Sequence, residues 1–161
     1  MAPPDAAAVS IRVAATPADV QAVRDLFVEY QRTLGISLCF QGFDEELAGL
    51  PGSYSPPRGA LLLATVSGEP AGCVGLRPHS AQDAEMKRLY VRARFRRTGL
   101  GGVLARSAIE RARALRCRRV LLDTLPAMRE AQALYAALGF RDCAPYNDNP
   151  IEGVRFLALD L

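Results

Sequence analysis

The sequence predicts a single α/β domain with a mixed, mostly antiparallel central sheet flanked by helices. Three observations carry that expectation. At 161 residues and half hydrophobic, the chain suits one globular core. Alternating and helical hydrophobic periods interleave in the order β-α-α-β-β-β-α-β-α-β-β. A hairpin in the first half makes the start of the sheet antiparallel. Eleven Pro and thirteen Gly are scattered rather than clustered, so no linker divides the chain. Residues 1–9 are expected to be a flexible tail and 10–161 the domain.

Ser10–Ala14 alternates as a first strand. Thr16-Pro17 then supplies an N-cap with proline at the first helical position. Val20, Val23, Leu26, Phe27 and Tyr30 recur at three- and four-residue spacing, an amphipathic helix. Asp44–Leu50 reads as a short second helix that ends at Pro51-Gly52. Ala60–Val66 and Ala71–Leu76 flank Ser67-Gly68-Glu69-Pro70 as a β-hairpin. After a polar loop at His79–Asp83, Glu85–Val91 reads as a strand, Gly99–Arg116 as a helix and Arg119–Asp123 as a strand. Ala127–Leu138 is helical and closes at Gly139, the residue expected after a helix C-terminus. Phe140–Ala144 and Val154–Leu159 are the closing strands.

Composition excludes several classes. The longest apolar run, Ala60–Val66, falls far short of the ~20 residues of a membrane helix. MAPPDAAAVS has neither the basic nor the apolar region of a secretory signal. Cys39, Cys73, Cys117 and Cys143 are dispersed, with His79 the lone histidine. That pattern is neither a metal site nor a disulfide framework, and it suits reduced thiols in a cytoplasmic protein. The net charge of +3 conceals an asymmetry: Lys87–Arg119 holds twelve Lys or Arg against Glu110 alone, leaving the rest at −8. A positive field this concentrated suits a polyanionic ligand.

Inside that basic segment lies "FRRTGLGG", Phe95 to Gly102. A P-loop would require Lys-Ser/Thr after the glycines, and none follows. A dinucleotide fingerprint finds two of its glycines in Gly99 and Gly101, and Asp123 stands where a ribose-binding acid could sit. Its third position is Leu104, however, and the preceding strand carries charge where a buried parallel strand should be apolar. The remaining reading is R-x-x-G-x-G, Arg96 to Gly101, joining a strand to a helix. Glycines allow close backbone approach to a pyrophosphate, and the first-turn amides of the helix point at it.

With "AEMKRLYV" before this turn and "ALYAALGF" after it, the chain resembles the GNAT superfamily of acyl-CoA N-acyltransferases. The matching motifs run from about Ala60 to Phe140, half of the chain. The resemblance implies acetyl-CoA in an opening between the "KRLYV" and "VLLDT" strands. Main-chain groups of Leu89, Tyr90 and Val91 would meet its acyl and pantetheine amides. Backbone amides of Arg97, Thr98, Gly99, Leu100, Gly101 and Gly102 would hold the pyrophosphate, with charge from Arg96 and Arg97. Tyr135 matches the family's general-acid tyrosine. Glu85 and Asp123 compete as the base, with Glu85 preferred, and ordered water is the third route. Met128 stands where many members carry an asparagine, which puts one side-chain contact to the cofactor in doubt. No metal is implied.

The implied reaction is direct attack by a primary amine on the thioester in a ternary complex. The amine could belong to a small amine, an amino acid or a protein N-terminus. Phe40, Phe43 and Tyr54 are candidate pocket aromatics or core packing, and Arg77 is a candidate carboxylate holder or surface ion pair. Tyr146-Asn-Asp-Asn-Pro150 is a polar turn within reach of an acceptor, and His79 reads as exposed. Two other classes compete: a non-catalytic acyl-CoA-binding module, and a nucleic-acid binder using the basic segment, which lacks a recognisable recognition motif. Pairing of two copies through the late strands is the family's common assembly.

Overall fold

The computed structural model describes residues 7–39 and 42–161. Seven strands form one sheet in the order β1-β2-β3-β4-β5-β7-β6. They are β1 (Val9–Val13), β2 (Ala60–Val66), β3 (Glu69–Pro78), β4 (Asp83–Val91), β5 (Arg119–Thr124), β6 (Arg141–Asp142) and β7 (Arg155–Asp160). The helices are α1 (Pro17–Leu34), α2 (Phe43–Gly49), α3 (Leu100–Ala114) and α4 (Arg129–Leu138). Every neighbouring pair is antiparallel except β4 with β5. Among the described residues no helix is long and apolar enough to cross a membrane.

Period-two alternation divides the core between the two faces of the sheet. Leu62, Val74, Leu76, Met86, Val120 and Leu122 face α3 and α4. Ala105, Ala108 and Ala112 on α3 are fully buried, and their small side chains let the helix lie close to the strands. Leu61, Leu63, Cys73 and Tyr90 face the other way, onto Val23, Leu26 and Phe27 of α1 and onto Phe43, Leu50 and Tyr54. The caps of α1 follow from the sequence: Thr16 Oγ1 accepts the Asp19 amide at 3.1 Å, and Gly35 closes the helix at φ 67.

Three elements differ from the sequence expectation. The hairpin loop is the two residues Ser67 and Gly68, at φ 50 and 81, so Glu69 and Pro70 belong to β3. That positive-φ pair matches strand twist better than a four-residue loop. Pro70 is tolerated because the register shifts beside it, between Ala64 and Thr65. The strand expected over Phe140–Ala144 shrinks to Arg141–Asp142, because the chain then leaves the sheet for the polar loop that carries Tyr146. Val9 begins β1, and Ala8 accepts the Ser67 amide at 2.8 Å. Of the expected tail, residues 1–6 lie outside the described residues.

Two ion pairs fix the middle of the sheet. Asp83 and Arg119 are opposed in the parallel β4–β5 pair, and their side chains meet at 2.8 Å. From α2, Glu46 accepts Nε and Nη2 of Arg88 on β4 at 3.0 and 3.1 Å, and the guanidinium lies 5.1 Å from the centroid of Phe43. Arg88 is buried and the Glu46 side chain is 10% exposed, so removing Glu46 leaves the arginine's charge stranded in the core. Glu46→Ala is expected to cost about 3–5 kcal/mol in urea unfolding. Glu46→Leu combined with Arg88→Met should recover most of that loss. The Arg119 guanidinium holds the Asp83 carboxyl below the ordinary carboxylate range. The stability it adds is therefore complete above the ordinary pKa of about 3.9 and is lost as pH falls through the lowered folded value. Asp83→Asn should lower the melting temperature by about 1–3 °C at pH 7. The difference from the parent should shrink toward zero near pH 2.

Candidate active site

The parallel pairing of β4 and β5 stops after three residue pairs, at Glu85 and Leu121. Beyond it the two strands splay apart. The cause is an extra residue in β4: its register against β3 shifts between Cys73 and Gly75, and Arg88 sits at φ 61. A bulge of this kind bends and twists its strand. For a residue with a side chain the left-handed conformation costs roughly 1–2 kcal/mol, and the Glu46 and Phe43 contacts hold Arg88 in it. On the neighbouring strand, a Cβ at Gly75 would stand 2.5 Å from the Tyr54 ring, so only glycine lets that ring fill the space beneath the bulge.

Past the bulge, strand alternation decides which main-chain groups face the opening. The Arg92 amide donates to Ala71 O at 2.9 Å, which turns Val91, and by alternation Leu89, toward the unpaired edge. There Val91 O accepts Arg96 Nε at 2.9 Å. Tyr90 opposes Cys73, so its main chain faces β3 rather than the opening, which corrects the expectation for that residue. Its ring does reach the site, 5.7 Å from the Arg96 guanidinium and 6.1 Å from Tyr30.

The glycine turn lies at one end of the same edge. Gly99, at φ 83, is the N-cap of α3, and no side chain caps the helix. The Leu100, Gly101 and Gly102 amides precede the first intrahelical bond, Val103 N to Gly99 O at 3.1 Å. Arg96, Arg97 and Thr98 are exposed on this turn. The Thr98 hydroxyl is already spent on Phe95 O at 2.7 Å, leaving that residue its backbone as a donor.

A groove of about 460 Å³ runs along the opening, lined by Leu89, Tyr90, Val91, Arg96, Met128 and Ala131 among others. Its inner end adjoins a narrow cavity of about 30 Å³ with the shared walls Tyr30, Leu34, Leu89, Leu125 and Met128. Its polar lining is Lys87, Arg88, Asp123, Thr124, Tyr135 and Asn149, and Leu38 and Met86 complete the cavity. The Tyr135 ring is buried against Phe140, and burial pushes its phenol well above the ordinary tyrosine range. Burial also raises Tyr30, to about 12. Both tyrosines therefore stay protonated at neutral pH. Thr124 Oγ1 is buried and has no hydrogen-bond partner among the described residues.

The two candidate carboxylates have different surroundings. Glu85 is buried away from the cavity wall and accepts Arg77 Nε at 2.8 Å and the Tyr146 hydroxyl at 2.6 Å. Asp123 lines the cavity and accepts Asn147 and Asn149 side-chain amides on Oδ2, at 2.9 and 3.2 Å. The polar turn 146–150 thus straps both carboxylates.

Phe43 and Tyr54 are core residues, each 1 % exposed, rather than pocket walls. Arg77 is tied to Glu85, and His79 is exposed with its ring 5.0 Å from Tyr146. Phe40 lies outside the described residues. The sequence reading missed Tyr30, which it counted in the apolar stripe of α1, together with the Glu46–Arg88 pair. The signal for the latter was Lys87-Arg88 between Met86 and Leu89 in a central strand, since consecutive charges there require buried partners. Among the described residues no group of His, Cys, Asp or Glu could hold a metal ion.

Comparison with known proteins agrees with this geometry. Residues 21–140 match the Acetyltransferase (GNAT) family. An N-acetyltransferase of Schizosaccharomyces pombe is 36% identical over 155 residues, 95% of each chain. The fold superposes on an acetyltransferase from Streptococcus agalactiae with a TM-score of 0.79 at 19% identity, covering 95% of this chain and 98% of that one. A Salmonella typhimurium structure solved with its cofactor acetyl-CoA gives a TM-score of 0.67 at 17% identity, covering 94% and 93%. With this sequence match, the splayed β4–β5 pair and the uncapped α3 turn in place, the chain belongs to the GNAT family and is an N-acetyltransferase.

Proposed function

We propose that the protein moves the acetyl group of acetyl-CoA to the primary amine of a small acceptor by direct attack in a ternary complex. The observation that carries this reading is one continuous path. It runs from the uncapped amides of α3, along the unpaired edge of β4, to the cavity that holds Tyr135 and Asp123. Its donors fit the cosubstrate: first-turn helix amides suit a pyrophosphate, and an open strand edge suits an amide-bearing arm. In this reading Leu100, Gly101 and Gly102 hold the phosphates through their amides, with Arg97, Thr98 and Gly99 completing the turn. The charges of Arg96 and Arg97 lie beside them, and Arg96 also ties the turn to Val91. Leu89 and Val91 bind the arm through their main chains. Acetyl-CoA supplies an acyl group already activated as a thioester.

An alkylammonium with a pKa of about 10 must lose a proton before it can attack. Asp123 takes that role, directly or through a water, because it faces the cavity and Asn147 and Asn149 orient it. Glu85, shared between Arg77 and Tyr146, instead positions the strap. As the amine nitrogen bonds the acyl carbon and the carbon–sulfur bond breaks, the departing thiolate needs a proton. Tyr135, protonated across the working pH range, gives its proton to that thiolate, and the second amine proton, released as the amide forms, restores the phenol.

Thermal unfolding with coenzyme A, acetyl-CoA and NADH at matched concentrations tests the cosubstrate. Either coenzyme A species at about 100 times its dissociation constant should add about 2.7 kcal/mol of stability, and NADH should add nothing. No shift with either coenzyme A species would overturn the reading. Tyr135→Phe should fold normally and lower turnover by about 10²–10⁴. Unchanged turnover with both substrates saturating would remove Tyr135 from the mechanism.

A further inference from the structure

Two buried side-chain oxygens among the described residues have no hydrogen-bond partner, the hydroxyls of Tyr54 and Thr124. Tyr54 fills the space beneath the β4 bulge, outside the inner cavity. Thr124 lines that cavity and is 3% exposed. A buried hydroxyl left unbonded destabilises the fold around it, and valine would fill the same space without that penalty. At this position the hydroxyl points to a partner that arrives with the substrates. Val120 and Leu122 of β5 pack toward α3 and α4, and Thr124 is next in that alternation. Its side chain therefore shares the face that carries Tyr135, whereas Asp123 points to the other face. The end of β5 thus offers a carboxylate on one side and a hydroxyl on the side of the proposed acid.

We infer that the Thr124 hydroxyl donates a hydrogen bond to the sulfur of acetyl-CoA as the thiolate departs, beside Tyr135. This inference rests on the acetyl-transfer reading above and adds a second donor for the leaving group. Neutral thioester sulfur is a weak acceptor, and a thiolate is a strong one. The bond gains its strength only as the carbon–sulfur bond breaks, so it raises kcat and leaves ground-state binding almost unaltered. Tyr135 supplies the proton, and Thr124 keeps its own. Because the hydroxyl is already out of water in the resting fold, none has to be stripped from it when charge develops on sulfur.

The parent, Thr124→Val and Thr124→Ser separate a hydroxyl that acts on the substrate from one that serves the fold. Thr124→Val keeps the shape and removes the unbonded group, so without ligand it should melt about 2–4 °C higher than the parent. With both substrates saturating it should turn over about 10- to 100-fold more slowly, with KM for acetyl-CoA little changed. Thr124→Ser should restore most of that rate. In the coenzyme A complex, the thiolate absorbance should grow in at higher pH for Thr124→Val than for the other two proteins. Tyr30, Lys87, Arg88, Asp123 and Tyr135 line the cavity in all three, so the difference isolates the hydroxyl.

Parental turnover in Thr124→Val would overturn the inference. A lower melting point for that variant would do the same, because the hydroxyl would then serve the resting fold. Slower turnover with an unmoved thiolate titration would overturn the sulfur contact in favour of the acyl oxygen. In each of these cases coenzyme A still stabilises the parent, and acetyl transfer stands. A parent that coenzyme A does not stabilise would remove both readings.

Discussion

The Arg88–Glu46 pair is the constraint on which the site depends. It holds Arg88 at a φ that side chains avoid, and so holds the extra residue in β4 that parts this strand from β5. Without the bulge, the parallel ladder begun at Asp83–Arg119 could continue past Glu85, and the edge at Leu89 and Val91 would be consumed by strand pairing. One buried ion pair therefore determines whether the sheet has an opening. The same pair docks α2 onto Arg88, which itself lines the inner cavity. In the proposed reading stability and function draw on the same contact, so a change at Glu46 should be felt in both.

The opening is useful because three kinds of donor meet along it. Uncapped helix amides attract phosphate, an unpaired strand edge receives amides, and a buried polar face handles protons. The first two are main-chain features, so in the proposed reading Leu89, Val91 and Leu100 need no special side chains. The third depends on side chains from distant parts of the sequence: Tyr30, Lys87, Asp123, Tyr135 and the strap at 146–150. Burial keeps both tyrosines protonated, whereas Asp123 faces the opening. In the proposed reading, the separation of acid from base follows from where each group sits in one layer of the sheet.

Much of this was legible in the sequence where the signals are local. Thr16-Pro17 opens α1, Gly139 closes α4, and Arg96 to Gly101 marks the turn before α3. Tyr135 was singled out through the family resemblance of "ALYAALGF". Long-range features were not legible. The bulge sits at an arginine, a residue that does not announce a positive φ, and its partner Glu46 is 42 residues away. The weighting between Glu85 and Asp123 also turned on nonlocal contacts: Tyr146, 61 residues downstream, occupies Glu85, and nothing in "AEMKRLYV" encodes that. Phe43 and Tyr54 were ambiguous because aromatics without clear periodicity serve cores and pockets alike.

The most direct test of the account is a coenzyme A titration of the isotope-labelled protein, followed amide by amide in solution. The account places the largest shifts at Leu89, Val91, Leu100, Gly101 and Gly102, with Tyr90 moving less because its main chain is bonded to β3. Shifts centred instead on the exposed arginines of α3, with the β4 edge unmoved, would contradict it: the basic segment would then be a surface for anions and the splayed strands would not be the cosubstrate site.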